Sequence, residues 1–182
     1  WEEFGPSAFA TRIRAEAMRD FGPSMSPMNA FILLQGIETL SLRMDKHIAN
    51  TEAILEFLSN HDQVSWVSHP SLPSHSSYDL AQKYLPKGAG SIVSFGVKGG
   101  REAGKAFIEN VELASHLANV GDAKTLIIHP ATTTHSRIDA ADLVAAGITE
   151  DMIRLSVGLE NVEDLKTDFE NGFRAAEKLS GA

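Results

Sequence analysis

The chain has 182 residues, 43% of them hydrophobic and 22% charged, a balance that fits one globular domain and argues against a disordered or fibrous protein. A formal charge of −8 without a concentrated Lys/Arg patch speaks against a nucleic-acid or anionic-membrane partner, while leaving room for a small anionic substrate at one local arginine. The absence of cysteine excludes disulfides, thiolate metal sites and a thiol nucleophile and fits a cytoplasmic location, and no apolar run approaches the ~20 residues that span a bilayer.

The first residue is Trp1 and not Met, as though something had been removed upstream. Residues 7–21 are Arg- and Ala-rich and predict a helix, with Gly22-Pro23 as its stop. Ser26 followed by Pro27 reads as an N-cap and first helical residue, because Pro lacks only an N–H that has no partner there. A long helix is expected to follow, with an apolar stripe of Leu33, Ile37, Leu40, Met44, Ile48, Leu55 and Leu58. Residues Phe31 to Leu34 are apolar all round, so the early turns are expected to be buried between two bodies. Gly36 is a weak point within this helix.

Strands are predicted around Val64–Val67, Ser91–Val97, Thr125–Ile128 and Ile153–Val157. Between them lie a loop carrying His69, Pro70, Pro73 and His75, and helices at Tyr78–Tyr84, Arg101–Asn110 and Ala140–Ala146. A final helix carries Val162, Leu165, Phe169, Phe173, Ala176 and Leu179 at steps of three and four. Alternating strands and one-sided helices imply an α/β (α+β) domain with a layer of helices over one face of a sheet.

In the last strand, Ile153, Leu155 and Val157 alternate with Arg154 and Ser156, so one guanidinium projects from the face that the core does not claim. Two readings of Arg154 stand at this point. A planar fork on a rigid strand suits a carboxylate held by two parallel hydrogen bonds, whereas spacing alone favours a structural salt bridge with one of the many acidic residues. Asn119 offers a hydrogen-bonding amide where a loop enters a strand, and Gly121 permits a close backbone approach. The histidines do not form a metal motif: His129 and His135 are separated by Pro130 and three threonines, which make a loop rather than a helix turn. His69 and His75 are expected to face solvent or cap the backbone. No Gly-x-Ser-x-Gly elbow, P-loop or Gly-x-Gly-x-x-Gly run is present.

The segments RLSVGLE at 154–160, NVEDLKTDFENGF at 161–173, HPATTTHS at 129–136, SPMNAFILLQGIETLSLRM at 26–44, SWVSHPSLPSH at 65–75 and GAGSIVSFGVKGG at 88–100 together resemble the C-terminal part of the Cys/Met-metabolism class of pyridoxal-phosphate (PLP) enzymes. That class includes cystathionine synthases and lyases and the O-acetylhomoserine sulfhydrylases. The run NVGDAKTLIIHPATTTH at 119–135 is most similar to the sulfhydrylase branch; the other branches tend to have Ser-Leu-Gly at 119–121 and Glu in place of Lys124.

The resemblance implies the small C-terminal domain of a fold-type-I PLP-dependent transferase, mainly an antiparallel four-stranded sheet preceded by a long helix. It implies that residues 1–22 end the large PLP-binding domain and that 23–182 form the C-terminal substrate-carboxylate domain. The implied reaction joins sulfide to O-acetylhomoserine, giving homocysteine and acetate in methionine biosynthesis. Arg154 is then expected to bind the α-carboxylate of the amino-acid substrate, with Asn119 helping to hold it and Thr134 supporting Arg154. Pyridoxal 5′-phosphate would be attached to a lysine outside this chain, in a missing N-terminal PLP domain, because none of the lysines present stands in the family's Ser/Thr-rich lysine motif. No catalytic, cofactor-binding or metal-binding residue is therefore expected in the chain, which alone would be inactive. A cytoplasmic homo-oligomer, a homotetramer in the complete protein, is the expected assembly. The alternatives are another member of the class, a cystathionine synthase or lyase, and a non-catalytic binding domain of the same fold.

Overall fold

The computed structural model describes residues 2–180, so Trp1 lies outside the described residues. Two compact units divide between Ser41 and Leu42.

In the first unit the predicted helix over 7–21 is present but irregular. A 3-10 stretch, Glu2–Ser7, leads into helix α1 (Ala8–Arg12), a π-helical stretch (Ile13–Met18) and α2 (Arg19–Phe21). Gly22 stops it at φ 62°, a left-handed cap that costs glycine nothing, with its N–H donating to the Met18 carbonyl at 3.0 Å. Ser26 caps α3 (Pro27–Glu38) by accepting from the Asn29 N–H at 3.2 Å. The expected long helix is interrupted at Thr39 (φ −102°, ψ 4°) before resuming as α4 (Leu40–Ser59). Gly36 and the β-branched Thr39 both weaken helix propensity at this point. Phe31, Ile32, Leu33 and Leu34 are each more than half exposed, and none of these first helices contributes a buried residue.

The second unit is built on a four-stranded sheet. In chain order it contains β1 (Val64–Ser68), α5 (Tyr78–Tyr84), β2 (Ile92–Val97), α6 (Gly100–Glu109), β3 (Leu126–Ile128), α7 (Ala140–Ala145), β4 (Met152–Ser156) and α8 (Val162–Ser180). The strand order is β1-β2-β4-β3, and every neighbouring pair is antiparallel. Alternation sends Val93, Phe95, Val97, Ile153, Leu155, Val157 and Ile127 to one face, where α4, α6 and α8 cover them. From α8 come Leu165, Phe169, Phe173 and Ala176, all 1% exposed or less; the last member of the predicted stripe, Leu179, stays 55% exposed. Phe95, Phe107, Phe169 and Phe173 form the centre of this core, with ring centroids 4.6–6.2 Å apart. Burying each such ring contributes roughly 1.5–3 kcal/mol, and their tilted arrangement adds to it. Among the described residues no helix is long and apolar enough to cross a membrane.

Side chains from α4 also fix the chain that leaves β4. The His47 ring N–H donates to the Val157 carbonyl at 2.7 Å, and the Asn50 amide donates to the carbonyls of Gly158 and Glu160, each at 2.9 Å. Glu160 in turn accepts from the Thr125 N–H at 2.6 Å and the Thr125 hydroxyl at 2.7 Å. These bonds hold the outer end of β4 to the entrance of β3 and leave the middle of β4 as a rigid platform.

Candidate functional site

β4 lies inside the sheet, and Arg154 lies in the middle of β4, with Ser94 of β2 and Ile128 of β3 as its register partners. Its chain neighbours Ile153 and Leu155 are fully buried on the helix-covered face, so Arg154 belongs to the other face. It is half-buried. Among the described residues its side chain makes no hydrogen bond and no ion pair, whereas carboxylates pair with other cations, Arg101 and Lys166 among them. The salt-bridge reading of Arg154 therefore has no partner here. A partly desolvated guanidinium with all its donors free has the chemistry to take an anion from outside the unit. On the same face, the buried hydroxyl of Ser156 also has no hydrogen-bond partner within the protein.

Along the edge strand β3 runs an apolar groove of about 500 Å³ whose walls include Ile108, Ile127, Ile128, Leu117, Ala118, Thr133 and Thr134; Arg154 is not among its walls. Thr134 is exposed at its rim, and its hydroxyl bonds His135 Nδ1 at 2.8 Å. Asn119 follows the groove residue Ala118 but is itself exposed, with its Oδ1 accepting from the Val120 N–H at 2.9 Å. The loop then turns through Gly121 (φ 73°) and an Asp122 side chain that accepts from the Lys124 N–H at 3.0 Å. The structure thus brings the loops of Asn119 and Thr134 to one groove, whose residue Ile128 faces Arg154 across the ladder. It does not bring the three side chains into contact with one another.

The arrangement of these loops depends on residues that carried no signal in the sequence. Asp168 of α8 accepts three backbone N–H groups, from Glu112 at 2.7 Å, Leu113 at 3.1 Å and Ala114 at 3.0 Å. His129 is fully buried, with Nε2 2.8 Å from the Glu150 carbonyl and Nδ1 2.9 Å from the Thr132 hydroxyl. Burial pushes its pKa below the usual 6.5, against the Glu150 carbonyl that favours the charged form; Arg101 lowers it further, and the Glu150 and Asp151 carboxylates raise it. The loop histidines turn out to cap backbone: His69 Nδ1 accepts from the Ser71 N–H at 3.2 Å and His75 Nδ1 from the Ser77 N–H at 3.0 Å. His69 is buried, and burial lowers its pKa as well.

Comparison with known proteins bears on what such an anion site serves. The sequence profile of a family described as "Cys/Met metabolism PLP-dependent enzyme" matches residues 7–174. The chain is 49% identical over 176 residues to the sulfhydrylase FUB7 of Fusarium oxysporum f. sp. lycopersici, covering 97% of this chain and 41% of that protein. It is 48% identical over 167 residues to O-acetyl-L-homoserine sulfhydrylase 1 of Thermus thermophilus, covering 92% of this chain and 40% of that protein. A crystal structure from Campylobacter jejuni subsp. jejuni, described as an O-acetylhomoserine (thiol)-lyase and carrying N′-pyridoxyl-lysine-5′-monophosphate, superposes with a TM-score of 0.83 at 41% identity, over 91% of this chain and 39% of that one. The chain thus spans about two fifths of the length of the curated relatives it matches.

A pyridoxal phosphate needs a lysine for its aldehyde and donors for its phosphate. None of the eight lysines of the chain lines the groove: Lys166 pairs with Glu163 at 2.8 Å, and the other seven are exposed. The described residues do not fit a covalent hold on this cofactor. The free cation of Arg154 fits a carboxylate.

Proposed function

This chain belongs to the Cys/Met-metabolism family of PLP-dependent enzymes, and we propose that it is the C-terminal part of an O-acetylhomoserine sulfhydrylase, an enzyme that makes homocysteine from O-acetylhomoserine and sulfide. Its own contribution is to bind and orient the substrate's α-carboxylate through Arg154. The observation that carries this reading is the half-buried guanidinium in the middle of β4 with no partner among the described residues. Pyridoxal phosphate, when held by the rest of the protein, supplies the electron sink for bond-breaking next to the amino group. The chain's residues act around it: Arg154 takes the carboxylate as a bidentate partner, and Asn119 and Thr134 stand on the loops beside it. Fixing the carboxylate on a rigid strand orients the amino acid before any bond is made or broken. Residues 1–22 belong in this reading to the end of the PLP-binding domain, and residues 23–182 to the substrate-carboxylate domain. The complete protein works as a cytoplasmic homo-oligomer, a reading supported by the exposed apolar surface of α3.

Kinetics of the complete enzyme test this assignment. A desolvated charged pair contributes about 2–4 kcal/mol, so Arg154→Ala is expected to raise KM for O-acetylhomoserine by roughly 30- to 1000-fold. Arg154→Lys keeps the charge without the fork and is expected to fall between. An Arg154→Ala enzyme with unchanged KM refutes the carboxylate role.

A further inference from the structure

We propose that His129 is a positioning residue for the Arg154 site, fixing the turn 130–134 so that Thr133 and Thr134 stand at the groove; this rests on the carboxylate reading of Arg154. A carbonyl only accepts, so the contact of Nε2 with the Glu150 carbonyl puts the ring hydrogen on Nε2. Nδ1 is then an acceptor for the Thr132 hydroxyl. The carbonyl of the same residue takes the N–H of Thr132 at 3.1 Å, the N–H of Thr133 at 3.2 Å and the hydroxyl of Thr133 at 2.8 Å. One residue therefore holds the turn from both its ring and its backbone.

The ring has no room to move. A Cβ placed on Gly104 of α6 would sit 2.8 Å from Nε2, so that helix lies directly against the imidazole. Arg101 adds an outer tether by pairing with Glu150 at 2.7 Å and donating to the Ala131 carbonyl at 3.3 Å. This second tether is nearly half exposed and holds less firmly than the buried ring.

What His129 ties together gives it a role beyond stability. It follows Ile128, the register partner of Arg154, and it bonds Glu150, which stands two residues before β4 begins. It thus joins the end of β3, which walls the groove, to the start of β4, which carries Arg154. Ring, turn and groove rim form one connected path: His129, Thr132, Thr133, Thr134.

The test uses the full 182-residue chain, isotope-labelled, with acetate as the carboxylate probe and NMR shifts as the readout. In the parent, the Arg154 Nε–H and the Thr133 and Thr134 amides are expected to shift together along one saturation curve. Thr132→Val removes one hydroxyl at nearly constant volume, and His129→Gln keeps an amide donor near the Nε2 position while losing the Nδ1 acceptor. Each is expected to weaken acetate binding three- to tenfold and to uncouple the threonine amides from Arg154. Restoring the Nδ1-like acceptor with His129→Asn, which loses the Glu150 tether instead, is expected to bring back the Thr132 contact but not the affinity. Thr132→Val decides the matter if His129→Gln does not fold. Parent-like affinity and shifts in Thr132→Val overturn the positioning role while leaving Arg154 as the anchor. An Arg154 Nε–H that does not respond to acetate in the parent overturns the carboxylate reading itself, and this inference with it.

Discussion

Asp168 offers the sharpest test of how this fold builds its site. The carboxylate is 6% exposed on α8 and accepts the N–H groups of Glu112, Leu113 and Ala114 at 2.7, 3.1 and 3.0 Å. Immediately beyond, Ser115 adds a rung to the edge of β3: its N–H donates to the Thr125 carbonyl and its carbonyl accepts from the Ile127 N–H, both at 2.9 Å. His116, Leu117 and Ala118 follow as a wall of the groove. A hydrogen bond to a charged acceptor contributes about 1.5–3 kcal/mol, but the three do not simply add in Asp168→Ala. Glu112 and Leu113 are exposed and gain water as a partner, whereas Ala114 is 3% exposed and its N–H is left orphaned. The net loss is therefore set at about 3–5 kcal/mol. For a chain of this length that corresponds to a fall in Tm of roughly 6–20 °C. Asp168→Asn, which keeps one acceptor oxygen but turns an NH2 toward the loop, is expected to lose about 2–3 kcal/mol. Urea unfolding followed by circular dichroism measures the loss, and hydrogen exchange at Ile127, whose N–H bonds Ser115, is expected to speed up in parallel. A loss below about 1 kcal/mol in Asp168→Ala, with protection at Ile127 retained, refutes the idea that this carboxylate holds the loop.

The buried histidines set a pH dependence. Because burial holds the folded-state pKa values of His129 and His69 below 6.5, the unfolded chain binds protons first as the pH falls. Stability is expected to be level above about pH 7 and to decline below 6.5 until the folded-state values are reached; His129→Gln, which does not titrate, flattens that decline, and an identical slope in parent and variant rules the mechanism out. Gly172 sits where α8 crosses α6, and a Cβ there would lie 2.8 Å from the Phe107 ring and 2.9 Å from its carbonyl oxygen. Gly172→Ala is therefore expected to destabilise by about 1–3 kcal/mol in urea titrations although Ala is the better helix former, and a gain in stability would show that the contact is slack.

Elements governed by local periodicity were legible in the sequence. The stripe Leu165, Phe169, Phe173, Ala176 is the buried face of α8, the alternation around Arg154 matches β4, and Ser26-Pro27 and Gly22 mark helix ends as their chemistry requires. The position of Arg154 on the face opposite the helices follows from that same alternation. Whether it had a partner did not, because a salt bridge depends on which distant carboxylate the fold brings near. The strand order β1-β2-β4-β3 depends on long-range pairing in the same way. Asp168 precedes Phe169 of the apolar stripe and reads as an ordinary helix carboxylate, because the backbone N–H groups it accepts lie more than fifty residues away. His129 read as a loop residue beside a proline, and only the approach of Gly104 and Glu150 makes it a buried hub.

Arg154 lies on the sheet face opposite the core, and this separation strengthens its test. Core side chains such as Phe107 and Phe173 sit on the helix-covered face and do not line the groove, whereas Ile108 and Ile127 belong to both the core and the groove wall. Arg154 is on the other face with no carboxylate or carbonyl partner among the described residues, so its removal breaks no bond within the unit. Had it been a structural ion pair, truncation would strand a buried carboxylate at a cost of about 3–5 kcal/mol. A ligand anchor predicts the opposite pattern: Arg154→Ala keeps the unfolding free energy within about 0.5 kcal/mol of the parent while KM rises steeply. Measured together on one protein, the two quantities discriminate more strongly than either alone, because destabilisation with unchanged KM belongs to a structural arginine and intact stability with a raised KM belongs to a carboxylate anchor.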